Sequence, residues 1–292
     1  MGMWKNSYAV GNALIDSQHM ELFRMADELV ATVRRQDANS PEACARAVTF
    51  LKDYVVKHFA DEEALQAALG YSGLERHRQL HREFVTTVLE YEKSLSESNF
   101  APKIMQQFAG KLIGWLIYHV VGEDGKITGM VAAAPPIQIQ DQGQDQSAPG
   151  QLITYFADSA CEILGQMLDI AVQTAPETPP PVSGKNDISI DVGLSGDYPG
   201  NAEFVFPLVT ASRIVQSMTA VDTADFGEMV ESALREIANI ISGNAASKLA
   251  ETGCACDITT PNLYRGQRPI RGSGKIVRCD LGALVVSLVS AD

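Results

Sequence analysis

Residues 58–63 read His-Phe-Ala-Asp-Glu-Glu. His58 and Glu62 are four positions apart, so on a helix they share one face, one turn apart. His77 and His81 repeat that spacing. All the histidines of the 292-residue chain lie in its first 119 residues: His19, His58, His77, His81 and His119. This concentration of histidines predicts one polynuclear metal site held between helices.

Further motifs surround these histidines. They are Tyr8-Ala9-Val10-Gly11-Asn12 with Ile15-Asp16-Ser17-Gln18-His19, His58-Phe59-x-x-Glu62-Glu63, His77-x-x-x-His81-x-x-Phe84, and Trp115-Leu116-x-x-His119-x-x-x-Glu123-Asp124. Together they resemble bacterial hemerythrins over about residues 3–130. The resemblance implies an all-α up-down four-helix bundle that holds two iron ions in a non-haem di-iron centre, with dioxygen as the ligand.

The resemblance also implies a set of metal ligands. One iron would be bound by His77, His81 and His119, the other by His19 and His58, with Glu62 and Asp124 bridging the two. The iron with only two histidines would have an open position for dioxygen, and nitric oxide is another ligand for it. Imidazole suits iron, and carboxylates can bridge two cations. A site rich in histidine and poor in carboxylate favours reversible oxygen binding over oxygen activation.

One ligand conflicts with a regular helix. His119 and Asp124 are five positions apart, roughly 140° around an ideal helix. The sequence therefore predicts a helix end or a local distortion at this point. Gly122 and Gly125 would permit the distortion because glycine adopts more backbone conformations than other residues.

Hydrophobic periodicity and turn residues divide the chain into two domains and a linker. Four helices are predicted in the first domain, residues 1–130, at about 15–36, 41–68, 74–97 and 103–122. Residues 131–150 are rich in Gln, Gly, Pro, Ser and Asp and predict a flexible linker. The remaining residues, 151–292, form the second domain.

The second domain mixes strands with helices. Ile188, Ile190, Val192 and Leu194 alternate with polar or small residues, which is typical of a half-buried strand. Further strands are predicted at 201–206, 256–260, 274–280 and 283–289, and helices at about 152–170, 208–219 and 224–250. This order favours an α+β layer with a mostly antiparallel sheet.

The long helix at about 224–250 carries a polar pair, Glu236 and Asn239. Its apolar stripe consists of Val230, Leu234, Ile237, Ile241, Ala245 and Leu249. On a helical wheel the polar pair points away from that stripe, and Ser232 and Gly243 lie on the same outer face. The pattern predicts a solvent-facing surface, flat enough for another protein to approach closely. An ordinary solvated face is the alternative interpretation.

A second family resemblance begins at this helix. It rests on Glu236-Ile237-Ala238-Asn239-Ile240-Ile241-Ser242-Gly243-Asn244-Ala245, Val182-Ser183-Gly184-Lys185-Asn186-Asp187, Gly193-Leu194-Ser195-Gly196-Asp197, Asp257-Ile258-x-x-Pro261 and Arg265-Gly266. These segments resemble CheX-like chemotaxis phosphatases over about residues 152–292. The resemblance implies that Asn239 orients the water that attacks the aspartyl phosphate of a CheY-like response-regulator receiver domain. Glu236 would pair with the receiver's lysine, and Mg²⁺ would come with the receiver.

Composition restricts the partners and the compartment. The formal net charge is −13, and residues 131–292 hold most of it, with 9 Lys+Arg against 19 Asp+Glu. A chain this acidic lacks the basic surface that nucleic acid or an anionic membrane requires. It has no apolar run of about 18 residues and no signal-peptide core at its start. The five cysteines are scattered, which indicates reduced thiols and a cytoplasmic protein.

The sequence thus predicts an oxygen- or redox-sensing di-iron domain fused to a phosphatase that acts on response regulators in two-component, chemotaxis-type signalling. Two alternatives stay open. The second domain docks on a receiver without turnover, or the bundle carries oxygen or iron and the second domain merely localises it. Because CheX-like domains often dimerise, a homodimer is expected.

Overall fold

The computed structural model describes residues 2–35, 37, 40–127, 129, 148–179, 182–224 and 227–291. The chain divides into two compact units, Met1–Pro135 and Pro136–Asp292. Most of the linker predicted at 131–150 lies outside the described residues, so its flexibility stays a prediction. Its last three residues belong to the first helix of the second unit.

The first unit is the predicted four-helix bundle. After a 3-10 turn at Asn6–Tyr8 it contains α1 (Ala13–Arg35), α2 (Ser40–Leu69), α3 (Leu74–Glu97) and α4 (Pro102–Tyr118), then a π-helical turn at His119–Asp124 and the short α5 (Gly125–Ile127). α1 packs on α2 and α4, and α3 packs on the same two helices. Each helix therefore has two neighbours, and one face of each helix points into a shared core.

A glycine ends α2 and sets up the turn into α3. Gly70 has φ +66°, a left-handed conformation that other residues adopt only with strain. The Tyr71 N–H then donates to the Gln66 carbonyl at 3.0 Å, which satisfies one of the last carbonyls of the helix. The short turn that follows makes α2 and α3 antiparallel neighbours, and both helices carry predicted metal ligands.

The second unit is an α+β layer. Its elements are α6 (Ala148–Leu168), β1 (Val172–Ala175), β2 (Ile188–Gly196), β3 (Gly200–Phe206), α7 (Leu208–Thr219), α8 (Gly227–Glu251), β4 (Cys256–Ile258), β5 (Asn262–Arg265), β6 (Ser273–Cys279) and β7 (Gly282–Ser290). The strand order is β1-β6-β7-β3-β2-β4, β5 also pairs with β2, and each of these pairs is antiparallel.

Every strand predicted from the sequence is present, within two residues at each end. The short strands β1 and β5 were not predicted. Each has only four residues and no clear alternation, so it becomes a strand only by pairing with its neighbour, β6 or β2. All five cysteines are free thiols.

The three long helices of this unit lie on one face of the sheet. α6, α7 and α8 contact one another, and each also contacts strands: α6 lies against β1, β6 and β7, α7 against β7, and α8 against β2, β4 and β5. The apolar alternation along β2 serves this face, because Ile190 and Val192 are fully buried. Ile190 pairs across the sheet with Phe204, another buried residue.

The solvent-facing surface predicted for α8 is wrong for two of its residues. The side chains of Glu236 and Ser232 are buried, at 3% and 4% exposure. Asn239 and Gly243 are only partly exposed. A helical wheel assumes one buried stripe and one solvated face, whereas α8 has α6, α7, β2, β4 and β5 around it. The apolar stripe itself is buried as predicted.

Candidate metal centre and the helix α8

All seven predicted metal ligands meet in the middle of the bundle. α1 supplies His19, α2 supplies His58 and Glu62, α3 supplies His77 and His81, and the end of α4 with its π-helical turn supplies His119 and Asp124. Each of these side chains is at most 2% exposed. Every long helix of the bundle thus contributes, so the site depends on the whole fold of the first unit.

The ligands fall into two groups. One group comprises Glu62, His77, His81 and His119, and the other comprises His19, His58 and Asp124. Within each group one nitrogen or oxygen atom from every residue lies within 4.8 Å of the others, close enough to surround one cation. This division places three histidines on one side and two on the other, as the family resemblance implied.

The carboxylate of Asp124 faces both groups. Its Oδ1 lies 3.2 Å from His119 Nε2 and 3.4 Å from His77 Nε2, while its Oδ2 lies 3.0 Å from His19 Nε2. Two cations bound by the two histidine groups would therefore each receive one oxygen of Asp124, which is the geometry of a bridging ligand.

Glu62 also reaches both groups. Its Oε1 is 3.0 Å from His77 Nε2, and its Oε2 is 3.3 Å from His81 Nε2 and 3.7 Å from His58 Nε2. Since His58 belongs to the two-histidine group, this carboxylate has a position from which it can contact cations on either side.

The polar atoms that converge here lack hydrogen-bond partners. Within the described part of the chain, this holds for Nε2 of His19, His58 and His77, for Oε2 of Glu62, and for both carboxylate oxygens of Asp124. A buried polar atom without a partner costs about 1–3 kcal/mol. Cations in the centre would satisfy all of these atoms, and imidazole with bridging carboxylate suits iron. The residues present therefore fit a pair of iron ions.

Burial keeps three of the histidines in the form that binds metals. Loss of solvation lowers the pKa of His19 to about 3 and that of His58 to about 4. Burial also lowers the pKa of His119 well below its usual value. An imidazole binds a metal through the nitrogen lone pair of its neutral form. His19, His58 and His119 are therefore neutral donors at any pH near 7.

The two carboxylates affect each other. Burial opposes ionisation of Glu62, but interactions with the neighbouring imidazoles of His119, His77 and His81 hold its pKa well below the usual value. Burial and the neighbouring charge of Glu62 together raise the pKa of Asp124 well above its usual value. A cation between the two groups removes this repulsion, so metal binding and ionisation of Asp124 favour each other.

The backbone distortion predicted between His119 and Asp124 is a π-helical turn over these six residues. Such turns occur mostly within α-helices and often at functional sites. Gly122 fits this turn because it is small: an added Cβ would lie 2.5 Å from the ring of Tyr118. Gly125 has an ordinary helical φ of −57°, so the flexibility expected of it is not used.

Sequence reasoning gave no role to Glu123, which anchors this turn. Its side chain is 2% exposed. The Tyr118 hydroxyl donates to Glu123 Oε1 at 2.7 Å, and Lys126 and Arg76 lie 3.1 and 3.4 Å from the same oxygen. Its place in the motif around His119 and Asp124 was the available signal, and its partners become visible only in the folded chain.

Aromatic rings cover the three-histidine side. Phe59 stacks on His81 with 3.7 Å between ring centres, and Trp115 stacks on His119 at 4.2 Å. Phe84 stacks in turn on Trp115 at 3.6 Å. These contacts fix the orientation of two ligand rings and exclude water from that side of the centre.

The predicted catalytic pair lies on α8 of the second unit. Glu236 and Asn239 are three residues apart, close to the middle of the helix. Farther along, Ser159 of α6 donates to Asn244 Oδ1 at 2.9 Å, and Lys248 lies 2.6 Å from Glu162. These contacts hold α8 against α6, so the position of the pair is set by the packing of two helices.

Comparison with known families agrees with both units. The sequence model of the family described as Hemerythrin HHE cation binding domain matches residues 10–131. The sequence model of the CheC-like family matches residues 229–265. Myohemerythrin of Riftia pachyptila is 31% identical over 127 residues, which are 44% of this chain and 91% of that protein. A hemerythrin-like protein of Naegleria gruberi is 32% identical over 128 residues, 44% of this chain and 92% of the relative.

Bacteriohemerythrin of Pseudomonas aeruginosa is 25% identical over 142 residues, 49% of this chain and 89% of that protein. Through its first half the chain belongs to the hemerythrin family. Membership implies that this domain binds iron and oxygen, and the buried cluster described above supplies suitable ligands.

Solved structures of chemotaxis proteins are also similar to parts of this chain. The chemotaxis protein CheX of Desulfovibrio desulfuricans is 22% identical with a TM-score of 0.43, covering 48% of this chain and 99% of that chain. A chain of the CheX–CheY–BeF3–Mg²⁺ complex of Borrelia burgdorferi is 25% identical with a TM-score of 0.40, and the match covers 48% of this chain and 98% of that chain.

None of the helices in the described part of the chain has the length and hydrophobicity of a membrane-spanning segment.

Substitution of Gly122 tests the π-helical turn. In Gly122→Ala the new methyl group collides with the Tyr118 ring, so the turn must shift and carry Asp124 with it. Overpacking of this kind costs about 1–3 kcal/mol. We expect lower iron content per chain after desalting and a lower midpoint of thermal unfolding of the bundle.

Gly243→Ala is the matched control, since its added Cβ would meet Ile258 at an ordinary 3.8 Å. It should keep the iron content of the unsubstituted protein. If Gly122→Ala also keeps full iron content and stability, the close contact with Tyr118 does not position Asp124.

Proposed function

We propose that this protein is an oxygen- or redox-sensing di-iron protein whose second domain removes the phosphoryl group from the aspartate of a CheY-like receiver domain. The two groups of buried ligands that share Asp124 are the observation that carries the first half of the proposal. The second half is supported by Glu236 and Asn239, which lie inside the segment that matches the CheC-like family.

The first domain would supply the sensor. The three-histidine group and the two-histidine group would each hold one iron, with Glu62 and Asp124 between them. Bound iron supplies the redox chemistry of reversible oxygen binding. The position with two histidines has fewer protein donors, so it is the one at which dioxygen, or nitric oxide, would enter. Burial keeps the imidazoles of His19, His58 and His119 neutral, the helices position the carboxylates, and aromatic rings exclude water.

The second domain would act by positioning. In hydrolysis of an aspartyl phosphate a water oxygen forms a bond to phosphorus, the bond to the aspartate oxygen breaks, and the aspartate leaves as a carboxylate. The Asn239 amide would hold that water, because an amide both donates and accepts hydrogen bonds without carrying charge. Glu236 would pair with a lysine of the receiver, which brings its own Mg²⁺.

The burial of Glu236 sets a condition on this mechanism. At 3% exposure its carboxylate has to become accessible when a receiver docks. The same burial favours a second candidate function, in which the second domain has no turnover and localises a bundle that carries oxygen or iron. Release of inorganic phosphate from a phosphorylated CheY-like receiver, with and without the purified protein, separates the two candidates.

Iron content tests the metal centre. The purified chain should hold about two irons, as expected for two ligand groups of this donor type. His77→Ala and Glu62→Ala should each lose most of that iron, because each removes a buried donor that the remaining six cannot replace. The exposed, ion-paired Glu75→Ala serves as the control and should retain it. Full iron content in both ligand variants would exclude this centre.

Asn239→Ala tests the phosphatase. Removing a polar group that acts chiefly in the transition state should lower receiver dephosphorylation by about 10²–10³-fold. Far-ultraviolet circular dichroism should stay unchanged. Ser247→Ala on the same helix removes a hydroxyl bonded to the backbone of its own helix, at 2.9 Å from the Gly243 oxygen, and should keep normal turnover. Normal turnover by Asn239→Ala would refute the catalytic role.

Control of the phosphatase by oxygen is the third expectation. Allosteric couplings amount to about 1–3 kcal/mol, or roughly 5–150-fold in affinity. We therefore expect a several-fold difference in phosphate release between the diferrous, oxygen-free full chain and the same chain exposed to air. His77→Ala, which lacks the complete centre, should show no such difference. Equal rates in both states across receiver concentrations would favour the oxygen carrier.

A further inference from the structure

In each ligand group, one histidine contacts a further side chain through the ring nitrogen that faces away from the centre. The type of that side chain differs between the two groups. In the three-histidine group, His81 Nδ1 lies 2.9 Å from Glu63 Oε1. In the two-histidine group, His58 Nδ1 lies 3.0 Å from Gln18 Oε1. A carboxylate therefore stands behind one ligand ring and a neutral amide behind the other.

The surrounding hydrogen bonds determine which atom donates. Gln18 Nε2 lies 2.7 Å from Asp61 Oδ2, and an ionised carboxylate only accepts. The amide nitrogen of Gln18 must therefore face Asp61, and its carbonyl oxygen must face His58. His58 then carries its proton on Nδ1, which leaves the lone pair of Nε2 directed toward the centre. Lys57 lies 3.0 Å from the same oxygen of Asp61 and holds it in place.

Glu63 is anchored in a comparable way. The Arg78 Nε–H donates to Glu63 Oε2 at 3.2 Å, while Glu63 Oε1 accepts from His81 Nδ1. The other nitrogen of His81 lies 3.3 Å from Glu62 Oε2, inside the centre. Hydrogen bonds to an ionised acceptor are roughly twice as strong as neutral ones. A carboxylate that accepts the Nδ1–H of a ligand histidine makes the ring more basic. The opposite nitrogen, Nε2, then binds a metal more strongly.

We infer that Glu63 and Gln18 make the two metal positions unequal and so set the order in which they fill. Glu63 strengthens the three-histidine position, which binds its metal first and holds it. Gln18 orients His58 without strengthening it, and the two-histidine position binds second and more weakly. Both are positioning residues that act through a ligand ring. The inference rests on the two-metal centre proposed above.

Ligand number alone favours the same order, since one position has three histidines and the other has two. The test must therefore change Glu63 and Gln18 while all seven ligands stay as they are. The protein offers nearly isosteric exchanges of carboxylate and amide at both places, so packing changes little.

The experiment is an anaerobic titration of the metal-free full chain with Co²⁺ alone, followed by visible absorption in the presence of a competing chelator. Glu63→Gln should weaken the first binding event by about 10–100-fold, the usual effect of removing such a partner, and leave the second unchanged. Gln18→Leu should weaken only the second event, and by a smaller factor, because a neutral amide orients His58 without strengthening it.

A gain of affinity gives the sharper test. In Gln18→Glu combined with Asp61→Asn, the carboxylate and the amide exchange places behind His58, so no two carboxylates face each other. This double variant should strengthen the second binding event and leave the first unchanged. Glu75→Gln is the matched control, because Glu75 also pairs with Arg78, at 3.6 Å, but is exposed and contacts no ligand. It should change neither event.

The outcomes distinguish failure of this inference from failure of the proposed two-metal centre. Binding of a single Co²⁺ by the unsubstituted chain would overturn the two-metal centre and the inference together. Two bound Co²⁺ with unchanged affinities in Glu63→Gln and in the double variant would overturn the inference alone. Equal weakening of both events in Glu63→Gln, as expected from general loosening of the bundle, would also overturn it.

Discussion

Seven side chains that could bind metal are buried together in the middle of the bundle, and the long helices of the first unit are arranged around them. Five imidazoles and two carboxyl groups leave several buried atoms without hydrogen-bond partners among the described residues. This arrangement is unfavourable without metal, because each such atom loses its hydrogen bonds to water and forms no replacement. It becomes favourable when cations occupy the space between the two groups, so folding of the bundle and binding of metal are thermodynamically linked.

The π-helical turn at His119–Asp124 follows from the same requirement. A regular helix would point Asp124 away from His119, yet the centre needs both on one side. The turn gives up regular helical hydrogen bonding, and the buried contacts of Glu123 with Tyr118, Lys126 and Arg76 offset that loss. The part of the bundle that departs from α-helical geometry is therefore also densely tied to its neighbours.

The second unit presents the opposite situation. α8 is enclosed by two helices and three strands, and its polar pair is only partly accessible. Asn239 is partly exposed, whereas Glu236 is buried. A phosphatase built this way would depend on a change around α8 when a receiver docks. Such a change can respond to a signal, because a ligand shifts an equilibrium only where two states differ in energy.

The spacing of residues along the chain predicted the helices of the bundle, a metal site between them and a distortion before Asp124, because spacing along a helix is a local property of the chain. The candidate ligand set came from the family resemblance. The sequence also predicted the long strands, whose alternation is local. Other features became visible only in the folded chain. Glu236 is buried, β1 pairs with β6, and β5 pairs with β2. Gln18 contacts His58, 40 residues away in sequence. These features depend on which distant segments come together, and no local pattern records that. Gly122 shows the difference: its position was predicted to matter for backbone freedom, but the folded chain needs it for space beside Tyr118.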